Sequence, residues 1–320
     1  MTLRTPLIAA ASLGTLLLAG CSGAEADGEA SPESDASLTV AAAFYPLQYV
    51  AEHVGGELVA VEALMPPGVE PHDAELSPAV VRSLQTMDTV LYLSEFQPAV
   101  DDAIATTDAR ALDAHHIVDE HAAAHEDEGH EDEVHEDEAD HADEDGHDHG
   151  SSDPHFWTDP TLLAAYAEDV AAEFAELDPA GADTYAANAE ALVAELTALD
   201  EDFQAGLASC ERDDIFVSHE AFGYLAERYD LHQEGVAGLD PEAEPSPARI
   251  REIRELVAET GATTVYSESL VDASAIEALA ADAGVQTAVL DPVEGVTGDD
   301  DYIAVMTRNL DALKDGLGCS

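Results

Sequence analysis

The chain has 320 residues, 46% of them hydrophobic, which is enough for one large or two medium α/β domains. Seventy Asp and Glu face ten Lys and Arg, a formal net charge of −60. Such a surface repels nucleic acid and anionic ligands and gathers cations, an attraction that salt screens. No nucleic-acid partner is therefore expected, although adaptation to a saline exterior would leave the same composition.

Residues 1–20 read as a secretory signal peptide: Arg4 precedes an apolar run from Pro6 to Gly20. That run is shorter than the ~20 residues a membrane-spanning helix needs. The segment Leu18-Ala19-Gly20-Cys21 resembles the lipobox of bacterial lipoproteins. The resemblance implies acylation of Cys21, and so a lipid anchor at the outer face of the cell membrane. An ordinary cleaved signal would leave Cys21 incidental. Residues 21–37 are small, polar and acidic, a flexible tether.

A strand is expected over Leu38–Phe44, then a helix from Pro46 to Gly55-Gly56, and a second strand over Leu58–Leu64 closed by Pro66-Pro67-Gly68. Ser77-Pro78 pairs a helix cap with proline at the first helical position. Thr89–Leu93 is a third strand. Near-continuous apolar strands joined by helices imply a parallel sheet covered on both faces.

Residues 119–149 carry sixteen carboxylates and seven histidines, with no Lys or Arg. Only Ala and one Val there can be buried, so 119–150 is expected as a disordered insertion. Its histidines (His121, His125, His130, His135, His141, His147 and His149) suit weak, multiple metal capture. A solubilising insertion that binds metal incidentally is the alternative.

Two helical patterns follow. The second, from about 180 to 207, is ~40 Å long at the helical rise per residue and reads as a spine. The βα rhythm then returns: a strand over 214–218, a helix over Ala221–Tyr229, and strands over Thr263–Ser267 and Gln286–Leu290. Each of these last two follows a helix capped by glycine, Gly261 and Gly284. A final helix spans about Asp301 to Leu317. The fold class is α/β: two lobes (38–178 and 210–320), each with a mostly parallel sheet flanked by helices, joined by a long rigid linking helix (179–209). Cys210 and Cys319 form an even pair in an exported chain, which favours a disulfide over two free thiols.

Outside 115–149 only His53, His72, His155, His219 and His232 remain. His53 and His232 sit in or just after helical patterns and read as surface residues. His72 lies past a strand end in a proline-bounded loop, His155 lies in Asp153-Pro154-His155-Phe156-Trp157, and His219 follows a strand, as does Asp291. Three imidazoles and one carboxylate, drawn from both lobes, match tetrahedral zinc ligation. Such a site needs neutral imidazole, so affinity should fall below about pH 6.5.

Four segments in order carry a resemblance: Pro71-His72-Asp73-Ala74-Glu75-Leu76-Ser77-Pro78, Asp153-Pro154-His155-Phe156-Trp157, Val217-Ser218-His219-Glu220-Ala221-Phe222-Gly223-Tyr224-Leu225, and Leu290-Asp291-Pro292. Over about 38–317 the chain resembles the zinc-uptake ABC transporter substrate-binding proteins, the ZnuA-like branch of the metal-binding lipoproteins. The resemblance implies one metal in the interlobe cleft, held by His72, His155 and His219. The fourth position would be water, Asp291 or a carboxylate near the first histidine, such as Glu70. Zn2+ is the expected cargo, favoured over Mn2+ because manganese-binding relatives carry a carboxylate where His219 stands. An ABC-type zinc permease is the expected partner of a monomeric, non-enzymatic protein. Glu268 follows a strand at the same sheet edge, either orienting a ligand histidine or simply buried and hydrogen-bonded. A zinc hydrolase, an adhesin or a metal buffer on the same fold are the competing readings. No His-Glu-x-x-His or nucleophile elbow supports the first of these.

Overall fold

The apolar run after the tether forms β1 (Leu38–Ala42), which the computed structural model places inside a four-stranded sheet with β2 (Val59–Ala63), β3 (Thr89–Tyr92) and β4 (Ala111–Asp113). The structure describes residues 36–128, 153–296, 298 and 300–320. The expected signal peptide (1–20), Cys21 and the tract histidines His130, His135, His141, His147 and His149 lie outside the described residues.

The strand order is β2-β1-β3-β4 and every pairing is parallel. Val40, Ala41, Ala42, Val90 and Leu91 are fully buried, as expected of strands covered on both faces. The connecting helices are α1 (Tyr45–Gly55), α2 (Pro78–Ser83) and α3 (Pro98–Thr107). Ser77 accepts from Val80 N at 3.3 Å and so caps α2. α4 (His115–Glu128) carries a correction: the tract does not leave regular structure at 119. Ile117 and Val118 bury one end of this helix, and Ala122–Ala124 favour its continuation.

α5 (Pro160–Leu177) and α6 (Ala182–Leu207) pack against each other. α6, the expected spine, buries Tyr185, Leu192, Leu196, Leu199 and Phe203 along one face. A second parallel sheet follows, of β5 (Asp214–Val217), β6 (His232–Gly235), β7 (Thr264–Ser267) and β8 (Gln286–Val289), in the order β6-β5-β7-β8. Its helices are α7 (Gly223–Arg228), α8 (Pro247–Thr260), α9 (Ser274–Ala283) and α10 (Tyr302–Leu317). Gly261 and Gly284 end α8 and α9 at φ of 69° and 74°, a conformation glycine adopts without strain.

The halves are joined by more than the spine. One cluster of buried apolar residues runs through β1, α1, α5, α6, β5 and α10. Tyr302 of α10 stacks near Tyr49 of α1, ring centroids 5.4 Å apart, and its hydroxyl donates to Trp157 O at 2.7 Å. On α6, buried Asp200 accepts from Arg228 Nε and Nη2 at 2.9 and 2.8 Å and from Tyr229 OH at 3.1 Å. Removing that carboxylate would leave the Tyr229 hydroxyl and the half-exposed Arg228 guanidinium without their shared acceptor. A disulfide between Cys210 and Cys319 ties the end of α6 to the end of α10 across 109 residues.

Candidate metal centre

In both sheets the chain reverses direction of travel beside the first strand, between β1 and β3 and between β5 and β7. Open parallel sheets bind ligands at the carboxyl ends of strands flanking such a point. His219 follows β5 and Glu268 follows β7. Phe96, in the segment after β3, packs its ring edge-on to His72, centroids 4.7 Å apart.

Each histidine is held by a carboxylate. His155 donates from N and Nδ1 to Asp153 Oδ1 at 2.9 and 2.7 Å. His219 donates from N and Nδ1 to Glu268 Oε1 at 3.2 and 2.8 Å. His72 N donates to both Glu70 oxygens at 3.0 and 3.1 Å, while Gln97 Nε2 holds Pro71 O at 3.1 Å. A proton committed to Nδ1 leaves Nε2 of His155 and His219 as the free, ligating nitrogen.

The Nε2 atoms converge. His155 Nε2 stands 3.3 Å from His72 Nε2 and 3.4 Å from His219 Nε2. Glu294 Oε1 lies 3.0 Å from His155 Nε2, 3.2 Å from His72 Nε2 and 3.6 Å from His219 Nε2. In a tetrahedron with bonds of about 2.0–2.1 Å, donor atoms stand about 3.3–3.4 Å apart. Lone pairs aimed at one another over such distances repel unless a proton or a metal cation lies between them. Among the described residues these four form the one such group able to hold a metal ion, with donor atoms all within 4.8 Å of one another.

The electrostatics agree. Burial opposes a charged His155, yet hydrogen bonds to Asp153 and Glu294 outweigh it and raise its pKa. His219, where burial is opposed in the same way by Glu268 and Glu294, is pushed up to about 10. Burial pushes Glu294 up, but hydrogen bonds from His155, His219 and His72 hold it well below the usual carboxylate range. The cluster is thus a basin that binds positive charge. His155, His219 and Glu294 are closed to solvent, whereas the His72 side chain is 13% exposed and borders a cavity of about 210 Å³ with Asp73, Glu95 and Asp240. A larger cavity of about 550 Å³, lined by Arg212 and Arg228 beside the disulfide, touches none of the four.

Residues 40–316 match the family described as zinc-uptake complex component A, periplasmic (ZnuA). The chain belongs to this zinc-uptake component A family. It is 32% identical to the high-affinity zinc uptake system protein ZnuA of Bacillus subtilis, over 94% of both chains. It is 33% identical to the zinc-binding lipoprotein AdcA of Streptococcus pneumoniae, covering 95% of this chain but 59% of that longer one. The Zn(II)-bound ZnuA-like domain of that AdcA superposes with a TM-score of 0.69 at 30% identity, over 88% of this chain and 99% of the domain. This is a family of substrate-binding transport proteins, and its two-lobed α/β architecture is the one seen here.

Within this zinc-uptake chain, His72, His155 and His219 lie together, and the carboxylate among them is Glu294 rather than either candidate for the fourth position, Asp291 or Glu70. Asp291 lies outside the cluster because its carboxylate is engaged elsewhere, with Val293 N and Ser269 Oγ. Glu70 and Glu268 hold histidines and are not in the group. His121 lies on α4 with its ring 4.9 Å from that of Tyr224 and Nε2 3.6 Å from Glu227 Oε2. His125 is on the same helix, its side chain outside the described ones. His53 and His232 are exposed. Sequence reasoning missed Glu294 and Asp153. For Asp153 a signal existed: Glu70-Pro71-His72 and Asp153-Pro154-His155 are the same acid-proline-histidine turn.

Proposed function

We propose that this chain is the extracytoplasmic binding protein of a zinc uptake system, capturing Zn2+ and delivering it to an ABC-type permease. The observation that carries this is the convergence of three Nε2 atoms and one carboxylate oxygen, five of their pairs 3.0–3.6 Å apart and all within 4.8 Å, close to the spacing of tetrahedral ligands. His72, His155, His219 and Glu294 are the ligands. A three-nitrogen, one-oxygen set favours zinc over the harder manganese ion. Four protein ligands in a buried site leave no open position for a reacting water, which speaks against a hydrolase.

Zn2+ arrives from the His72 side, where the cluster meets solvent, and displaces the protons that the raised pKa values hold there. Asp153 and Glu268 keep the rings of His155 and His219 aimed throughout. Because α6, α10 and a shared core join the two halves, release takes place by movement of the loop carrying His72, the partly exposed ligand, with only small rocking of the lobes. Lipidation of Cys21 and the acidic tether hold this monomeric protein beside the permease. Captured zinc reaches the cleft from the tract, which serves as a weak reservoir.

The test is growth in zinc-chelated medium. A strain lacking the gene should fail to grow, and zinc in excess or the intact gene should restore it. His155→Ala should not restore it. Full rescue by His155→Ala, or rescue by manganese in place of zinc, would refute the reading.

A further inference from the structure

Three acid-proline-X turns surround the cluster. In two, Glu70-Pro71-His72 and Asp153-Pro154-His155, the acid accepts the backbone N–H of the histidine two residues on. The third is Asp291-Pro292-Val293, where Asp291 Oδ1 accepts Val293 N at 2.8 Å, and Glu294 is the next residue. The other carboxylate oxygen accepts from Ser269 Oγ. Asn309 clamps the same residue from α10: its Oδ1 accepts Asp291 N at 2.9 Å and its Nδ2 donates to Asp291 O at 2.7 Å. Trp157 Nε1 donates to Pro292 O at 2.8 Å, locking this turn to the segment that carries His155.

Val293 shows what the turn holds in place. Its φ is 60°, in the left-handed region, and its side chain is fully buried. A β-branched residue seldom adopts that conformation, and it persists where surrounding contacts over-determine it. The turn at Val293 directs Glu294 inward, where its side chain is 1% exposed and Oε1 meets all three imidazoles.

We infer that Asp291 is a positioning residue: through its acceptor bond to Val293 N it builds the turn that presents Glu294 to the metal, and it is not itself a ligand. The inference rests on the proposed metal site. Asp291 fixes the backbone just ahead of the oxygen ligand, as Glu70 fixes the backbone of a nitrogen ligand. What the position requires is an acceptor of the right length, not a negative charge.

The experiment compares Asp291→Asn, Asp291→Ser and Asp291→Ala in the full chain, each loaded with one equivalent of Co2+ or Zn2+. Asn keeps the acceptor for Val293 N and can satisfy Ser269 through its amide, and Ser keeps a shorter acceptor. Asp291→Asn should hold zinc within about threefold of the parent and keep the intense visible absorption of tetrahedral cobalt. Asp291→Ala should bind zinc about 10–100-fold more weakly, the usual penalty for losing a group that orients a ligand. Its cobalt band should weaken towards that of higher coordination, with Asp291→Ser between the two. Thermal melts of the metal-free proteins check folding, and should Asp291→Ala fail to fold, the Asn and Ser variants carry the comparison. An Asn variant as impaired as Ala would overturn the inference in favour of a charge or ligand role. An Ala variant equal to the parent would show that the turn does not position Glu294. Failure of the parent itself to bind zinc tightly would instead refute the proposed site.

Discussion

Replacing Glu294 by Gln keeps the side-chain length and removes the charge. Glu294 Oε1 lies 3.0, 3.2 and 3.6 Å from three Nε2 atoms, and the side chain is 1% exposed. Removing one partner of a buried ion pair costs about 3–5 kcal/mol, which at about 1.4 kcal/mol per tenfold is about 100- to 4,000-fold in affinity. The glutamine amide oxygen remains a neutral donor, so the expected loss is at the lower end, about 100-fold, with one zinc per chain retained. A second effect follows from the ion-free protein. Glu294 raises the pKa of His155 and His219, so the variant should carry fewer protons there and release fewer when zinc binds. Competition against a chromophoric chelator gives the affinity, and calorimetry in buffers of different ionisation enthalpy counts the protons. A zinc Kd within about threefold of the parent, with unchanged proton release, would refute the role given to Glu294.

Glu268→Ala should weaken zinc by about 10–100-fold while leaving Glu294 in place, because His219 loses the acceptor that fixes its ring; chelator competition checks this. The pH dependence follows from the raised imidazole pKa values: protons occupy Nε2 below them, so zinc affinity falls as pH falls. With His219 near 10, the loss should start well above the ordinary imidazole range and run at about tenfold per pH unit for each proton displaced. A Kd that is flat between about pH 8 and 6 would contradict this. Replacing both Cys210 and Cys319 with Ser should cost about 2–5 kcal/mol and lower the melting temperature by about 5–10 °C, with zinc affinity unchanged, as calorimetry and competition would show.

Strands β1, β3 and β5 were legible because burial on both faces makes them continuous apolar runs. Edge strands β4 and β6 were not. Ala-Leu-Asp and His-Gln-Glu-Gly have one neighbour each and little to bury, so no periodicity marks them. In the site, His72, His155 and His219 stood out because histidine is scarce outside the tract and each sits at a strand end or beside proline. Glu294 did not, in a chain with seventy acidic residues. Its place depends on a left-handed Val293 and on contacts from Ser269, Asn309 and Trp157, far away in sequence. Asp291 attracted notice because it ends a strand at the correct sheet edge. The same position lets it build the turn.

One zinc is held, on this reading, by His72, His155, His219 and Glu294. X-ray absorption at the zinc edge tests it most directly, on a chain lacking residues 129–152 and loaded with one equivalent. Four ligands are expected at about 2.0–2.1 Å, three of them with imidazole scattering and one an oxygen. Loss of tight binding with the tract, or a shell of six oxygens, would contradict it.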